Sequence, residues 1–462
     1  MSPNHHLSAA ASPPVPTSVA SIAGRMERLP WSRVQRTLFL VIATAWFFDS
    51  IDLGAMTFLL SPISKEFGLS AAQTGLLGSA SFAGMFFGAV AAGSLADRFG
   101  RQRVFKYSIV VWGLASIGLA FAWNLESLLT FRFLLGIGMG AEFPVAAAIL
   151  AEFMPSAKRG RYAALLEGAW PLGFITAGAV SYLLIATTLG WRGFFAMQAG
   201  LAVVALIVRR NLPESPRWLA SRGHTEAADR TLTAIEESVE LAIGRPLPEP
   251  QPLASTQPPA GATGLRALLK PGLRSRTLTV WAVWFCLMTG YYGLTTWIGK
   301  LLTDSGLDVA KSIGFILAMA LWGIPGFLSA AYLIERVGRR FCLAGYTIGS
   351  GIAAYTYGQS SGTVELIASG SVLQFCFFGM FSAIFAYTPE LFPTASRGAG
   401  VGSSTALGRL GSVFGPIAVP ALLAAGGTGL VFGTSAVLFA IGAVIVLTRL
   451  PETKHTVLEQ IH

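Results

Sequence analysis

The sequence predicts an all-α membrane protein, with twelve transmembrane helices in two pseudo-symmetric six-helix bundles. Composition is the first reason. Of 462 residues, 53% are hydrophobic and 12% are charged, against about 25% charged in ordinary soluble domains, and the mean hydropathy is +0.60. The second reason is the length of the apolar runs, since roughly 20 such residues are needed to cross the hydrocarbon. The third is an internal repeat at an interval of 238 residues. Asp97-Arg98-Phe99-Gly100-Arg101 returns as Glu335-Arg336-Val337-Gly338-Arg339. Glu152-Phe153-Met154-Pro155, ending Arg159-Gly160, returns as Glu390-Leu391-Phe392-Pro393, ending Arg397-Gly398. Pro213-Glu214-Ser215 returns as Pro451-Glu452-Thr453. Three matches in one register imply two equivalent halves, which in an apolar chain is a sign of a transporter.

Residues 1–36, rich in Ala, Ser and Pro, read as a flexible cytoplasmic leader without the apolar core of a cleaved signal. The N-terminal bundle is 37–212, with spans at 37–62, 74–96, 104–122, 127–151, 163–187 and 191–209. A linker, 213–275, contains an acidic amphipathic stretch, His224 to Ile243, that reads as helix, and a Pro-rich stretch, Arg245 to Gly264, that reads as disordered. The C-terminal bundle is 276–450, with spans at 278–302, 311–334, 341–359, 364–388, 399–425 and 428–448, and 451–462 form a tail. Basic residues set the orientation. Arg98, Arg101, Arg103 and Lys106 follow span 2, Lys158, Arg159 and Arg161 follow span 4, and Arg336, Arg339 and Arg340 follow span 8. That side, with both termini, is expected to face the cytoplasm of a bacterial-type plasma (inner) membrane. The formal charge of +10 follows from this bias and calls for no nucleic-acid partner. Gly84/Gly88 and Gly136/Gly140 have the spacing of helix-packing sites.

Cys286, Cys342 and Cys376 fall in apolar runs with no paired framework, and all five histidines lie outside the spans. No metal site or histidine relay is expected. P-loop and HExxH patterns are missing, so the expectation is a protein that is not an enzyme and uses no cofactor. Its expected partners are a small molecule, protons and the lipid bilayer, and it is expected to work as a monomer.

Five motifs carry a resemblance. Gly93-Ser-Leu-Ala-Asp97-Arg98-Phe-Gly100-Arg101 resembles the signature loop of the major facilitator superfamily between helices 2 and 3. Arg132-x-x-x-Gly136-x-Gly138-x-Gly140 resembles its helix-4 motif. Glu152 to Gly160 and Pro213-Glu-Ser-Pro-Arg-Trp-Leu219 are similar to its sugar-porter and organic-ion branches. Asp49-Ser50-Ile51-Asp52 resembles the helix-1 Asp-Gly-x-Asp signature of aromatic acid:proton symporters, with Ser50 in place of glycine, and the flanking aromatics look closer to bacterial niacin permeases. The resemblance implies the major facilitator fold and alternating access. It also implies proton-coupled uptake of a small aromatic monocarboxylate, nicotinate first. An exporter is disfavoured because helix 5 reads Trp170-Pro171-Leu172-Gly173 rather than Gly-Pro-x-x-Gly-Gly, and a sugar porter because helix 7 lacks a Gln-Gln motif. A non-transporting sensor of the same fold remains a distinct alternative.

Ionisable groups in mid-membrane are expensive and therefore functional candidates. Asp49 and Asp52 are three residues apart and share one side of helix 1. Arg132 lies at a depth on helix 4 that allows it to pair with Asp52. In the family such a pair forms a proton-operated latch. Burial favours a neutral carboxyl and a guanidinium favours an ionised one, so separating the two would let Asp52 take up a proton. The alternative is a static ion pair. Asp49 either orients helix 1 or meets substrate. Glu142 is either a second proton site or is satisfied by a neighbouring helix, and Glu167 is either a gate or a snorkelling residue.

Arg409, the main deep charge of the C-terminal half, is a candidate partner for a carboxylate, since Arg binds carboxylates bidentately. The alternatives are a gate ion pair or capped carbonyls. Tyr292, Trp170, Trp297 and Phe377 are candidates for stacking on a planar substrate, and Gln374 for bonding a ring nitrogen. Gly93, Asp97, Arg98, Gly100, Arg101, Glu152, Arg159, Glu335, Arg336, Arg339, Glu390 and Arg397 are expected to form the gate. Within it, Asp97 would meet a helix N-terminus, and Glu152 and Glu390 would make inner salt bridges that hold one state closed.

Overall fold

The computed structural model describes residues 19–153, 166, 168–210, 212–250, 265–393 and 396–454, and these are predominantly helical. The first helices are α1 (Val19–Glu27), α2 (Arg33–Glu66), α3 (Ala71–Phe99), α4 (Arg101–Ala120), α5 (Leu125–Phe153), α6 (Ala169–Ile185) and α7 (Gly190–Arg209). The linker contributes α8 (Pro216–Ser221), α9 (Thr225–Ile243) and α10 (Leu265–Leu268). There follow α11 (Pro271–Asp304), α12 (Val309–Ala320), α13 (Gly323–Val337), α14 (Arg339–Gln359), α15 (Thr363–Tyr387) and α16 (Arg397–Arg449).

Among the described residues, eight helical runs are long and apolar enough to cross a membrane, and Ala169–Ile185 is a shorter apolar helix. The segments expected at 278–302 and 341–359 are helical, but Tyr, Trp, Thr and Gly dilute their hydropathy below that of the eight. The span expected at 311–334 is divided between α12 and α13. The last two expected spans form one 53-residue run that breaks at Gly426 and Gly427, where Gly427 takes φ +66°. Large apolar side chains such as Phe87, Leu114, Leu183, Ile352 and Val444 are exposed along the helices, as a lipid-facing exterior requires.

The two glycine pairs bring α3 and α5 into backbone contact. A Cβ on Gly84 or Gly88 would strike the Phe133 and Ile137 carbonyls, and one on Gly136 or Gly140 would strike those of Ser81 and Met85.

The 238-residue repeat has a physical explanation. Gly100 (φ +102°) joins α3 to α4, and Gly338 (φ +107°) joins α13 to α14. Both values favour glycine, and a Cβ at either would meet a carboxylate, that of Glu214 or Glu452. The Glu214 carboxylate accepts from the amides of Arg101 and Gln102, and that of Glu452 from the amides of Arg339 and Arg340. An anion at such a helix start is favoured by the unpaired amides and the dipole. The Arg101 side chain then bonds Glu152 at 3.1 Å, and that of Arg339 bonds Glu390 at 3.2 Å. In both halves the arginine–glutamate pair is separated by 51 residues and the amide–glutamate pair by 113.

This bears on two expectations about the gate. The helix starts are occupied by Glu214 and Glu452, while the side chain of Asp97 lies outside the described residues. Glu152 and Glu390 pair within their own halves, so in this structure they staple helices inside a half and do not tie the halves together.

The halves meet through α2 with α11, α3 with α16 and α6 with α12. Ser61 and Thr303 share a hydrogen bond of 2.6 Å, and the Ser79 hydroxyl donates to the Val413 carbonyl at 2.9 Å. Gly299 lies against the Thr57 carbonyl, and Gly178 against Leu317. These contacts lie toward the ends remote from the basic loops. Nearer the basic loops, α13 packs on α14 and α15 of its own half.

The leader is a correction. From residue 19 onward it is structured, because Ile22, Met26 and Leu29 are buried in one apolar cluster with Leu232 and Ile235 of α9. Arg25 and Arg28 bond Glu236, and Arg217 pairs with Glu27 at 3.0 Å. Residues 1–18, the Pro-rich 251–264 and the tail from 455 lie outside the described residues.

Candidate functional site

Buried charge concentrates in the N-terminal half. Asp52 on α2 is completely buried, and Nη1 of Arg132 on α5 donates to both its oxygens at 3.2 Å. Nε2 of Gln198 on α7 donates to Oδ1 at 3.1 Å. The Ser81 hydroxyl holds the Arg132 carbonyl at 2.9 Å, which fixes α5 against α3 at this level. Three helices therefore converge on one carboxylate. Arg132 Nε and Gln198 Oε1 have no hydrogen-bond partner. A buried pair with polar capacity left over sits close to a balance between states, because its desolvation cost rivals its attraction.

Glu142, also buried on α5, pairs with Arg209 at the end of α7. The Arg209 guanidinium lies 3.9 Å from the centroid of the Phe105 ring and donates to the Phe105 carbonyl at 3.3 Å. In sequence, Arg209 marks the boundary of a span. The available signal was Glu142 itself, a mid-helix acid that requires a cation nearby.

Asp49, one turn before Asp52, is buried, and its Oδ2 has no hydrogen-bond partner. The charges of Glu142, Arg409, Arg209 and Asp52 all act on it. Arg409 comes from the other half. It is half-buried, its guanidinium is 6.0 Å from the Phe143 ring centroid, and Phe143 lies 4.1 Å from Trp46. Trp46 is one turn before Asp49 on α2. Arg409 is in no ion pair among the described residues.

Aromatic rings line the junction of the halves. Trp170 stacks on Phe174 at 6.2 Å and on Phe381 of α15 at 6.0 Å, and meets Phe378 at 6.0 Å. Tyr292 meets Phe82 at 4.4 Å, and Tyr291 meets Phe381 at 4.6 Å. Ser50, which stands where the resembled pattern has glycine, donates its hydroxyl to the Trp170 carbonyl at 2.5 Å and so ties α2 to α6. Gln374 is buried with Oε1 unpartnered.

Two aromatic candidates are packing residues here. Trp297 is completely buried and its indole donates to the Pro416 carbonyl at 3.1 Å, which joins α11 to α16. Phe377 is buried between Tyr291 and Phe439. Of the gate candidates, Arg98 lies over Phe99, Arg336 over Tyr332, Glu335 pairs with Arg339, and Arg397 donates to the Pro389 carbonyl. Gly93 lies within α3. Arg159 and Glu167 lie outside the described residues.

Residues 37–462 match the family described as "Sugar (and other) transporter". Over 447 residues the chain is 35% identical to the niacin transporter NiaP of Acinetobacter baylyi, a match covering 95% of this chain and 99% of that protein. It is 31% identical over 394 residues to the 4-hydroxybenzoate transporter PcaK of Pseudomonas aeruginosa, covering 84% and 86%. In structure it is similar to the xylose transporter XylE from E. coli in a partially occluded inward open conformation. The TM-score is 0.74 and the identity 18%, over 91% of this chain and 98% of that one. At that identity the likeness speaks to the fold.

Proposed function

Because the chain belongs to the sugar (and other) transporter family of the major facilitator superfamily, we propose that this membrane transporter couples uptake of a small aromatic monocarboxylate, nicotinate foremost, to protons. Arg409 carries the reading. It is a guanidinium outside any ion pair among the described residues. It lies beside the Phe143 ring and within electrostatic reach of Asp49, whose Oδ2 has no hydrogen-bond partner. A substrate carboxylate and Asp49 compete for that one cation, so anion loading is favoured when the α2 carboxylates carry a proton. Trp170, Phe381 and Tyr292 supply ring faces at the same junction.

Asp52 and Arg132 link the proton to movement. Protonating Asp52 removes the anion that holds Arg132, and so loosens α2 from α5. The halves then rock about the site by alternating access. In this structure the hydrogen bonds between the halves lie away from the basic loops, while Trp170 meets Phe378 and Phe381 nearer to them, which fits a state partly occluded toward the cytoplasm with both termini inside. The relatives named for niacin and 4-hydroxybenzoate transport support an aromatic acid.

Arg409→Ala is the test. Truncating one partner of a hydrogen-bonded charge pair costs about 2–5 kcal/mol, so nicotinate binding should weaken by at least about thirtyfold. Nicotinamide, which has the same ring without the carboxylate, should bind as before. Isothermal titration of the purified variant with both ligands distinguishes the cases. Equal loss of both would assign Arg409 to structure.

A further inference from the structure

A groove of about 520 Å³ opens where α2, α7 and the linker helix α9 meet, apart from the transport site. Along α2 its wall changes character, from Arg33 and Thr37 to Leu38 and Val41, over about 12 Å at the helical rise. Val208 of α7 and Leu241 of α9 are also part of its lining. The flanks are lipid-facing in character, since Leu40 is 56% and Ile207 54% exposed. Leu241 is 86% exposed although it belongs to a linker helix outside the apolar spans. An apolar side chain so placed is unfavourable in water and favourable against acyl chains.

Charge identifies the occupant. Arg33 lines the polar end of the groove, Arg36 follows it by three residues on α2, and Arg210 caps the end of α7 two residues after Val208; all three are exposed and make no ion pair among the described residues. Basic pockets between helices on the cytoplasmic side of a membrane hold anionic lipid headgroups. We propose that this groove binds an anionic phospholipid. Its phosphodiester rests on Arg33 and Arg36, and an acyl chain follows Leu38 and Val41 toward the hydrocarbon. The lipid bridges α9 to α2 and α7, and so fastens the linker helix to the N-terminal half.

The test uses the full chain in detergent, with native mass spectrometry and thermal unfolding as readouts. The probes are phosphatidylglycerol, phosphatidylethanolamine of the same chains, and glycerol phosphate as the headgroup alone. Phosphatidylglycerol should bind and raise the unfolding midpoint, while glycerol phosphate should do neither. Arg33→Gln with Arg36→Gln should weaken phosphatidylglycerol by about fivefold for each arginine removed, with phosphatidylethanolamine unaffected. Leu241→Gln should weaken retention of both lipids. All three side chains are exposed, so an unchanged lipid-free midpoint verifies the fold of each variant. Equal binding of the two lipids to the wild type, or glycerol phosphate binding as well as the lipid, would overturn the proposal.

Discussion

Asp52→Asn should abolish proton-driven accumulation of substrate and leave counterflow exchange in place. Asparagine keeps the size and a carbonyl acceptor for Arg132 but removes the charge and the proton site. Arg132 is then a buried guanidinium without its anion. Exchange of internal for external substrate needs no net proton movement, so it reports whether the variant is folded and loaded. Reconstituted vesicles with an imposed pH gradient measure the first property, and the same vesicles without a gradient measure the second. Accumulation at the wild-type level would remove Asp52 from the coupling path.

Arg209→Leu should destabilise the protein by about 3–5 kcal/mol, the usual effect of stranding one partner of a buried ion pair. The stranded group is Glu142, which is 2% exposed. Adding Glu142→Leu should recover most of the loss, because a well-packed apolar pair often matches a buried ion pair in stability. Thermal unfolding of the two single variants and the double variant gives the coupling directly. If the double variant loses as much as the sum of the singles, the two side chains do not act as a pair.

Much of the fold was legible because membrane helices announce themselves by length and hydropathy. The repeat located the Arg101–Glu152 and Arg339–Glu390 staples without showing that each closes within one half. Glu214 and Glu452 stood in the same register, and their constant offset from Arg101 and Arg339 was the missed clue. The contact between Asp52 and Arg132 follows from their depths on two helices of known direction. Arg209 escaped notice because a basic residue at the end of a span reads as a boundary, and its partner is 67 residues away. The packing of Trp297 was not legible because an aromatic residue that lines a path and one that fills a helix junction look the same in sequence. Only the bond to the Pro416 carbonyl separates them. Residues 19–32 were read from the Ala-, Ser- and Pro-rich segment before them, although Ile22, Met26 and Leu29 recur at helical spacing.

Uptake of labelled nicotinate by proteoliposomes holding the purified protein tests the central claim most directly. With an alkaline interior and no other gradient, nicotinate should accumulate above its external concentration through the protein, and a protonophore should discharge it. Vesicles without protein, run in parallel, remove the contribution of the neutral acid crossing lipid unaided. Uptake that stops at equilibration, or accumulation identical with and without the protein, would contradict proton-coupled transport of an aromatic carboxylate.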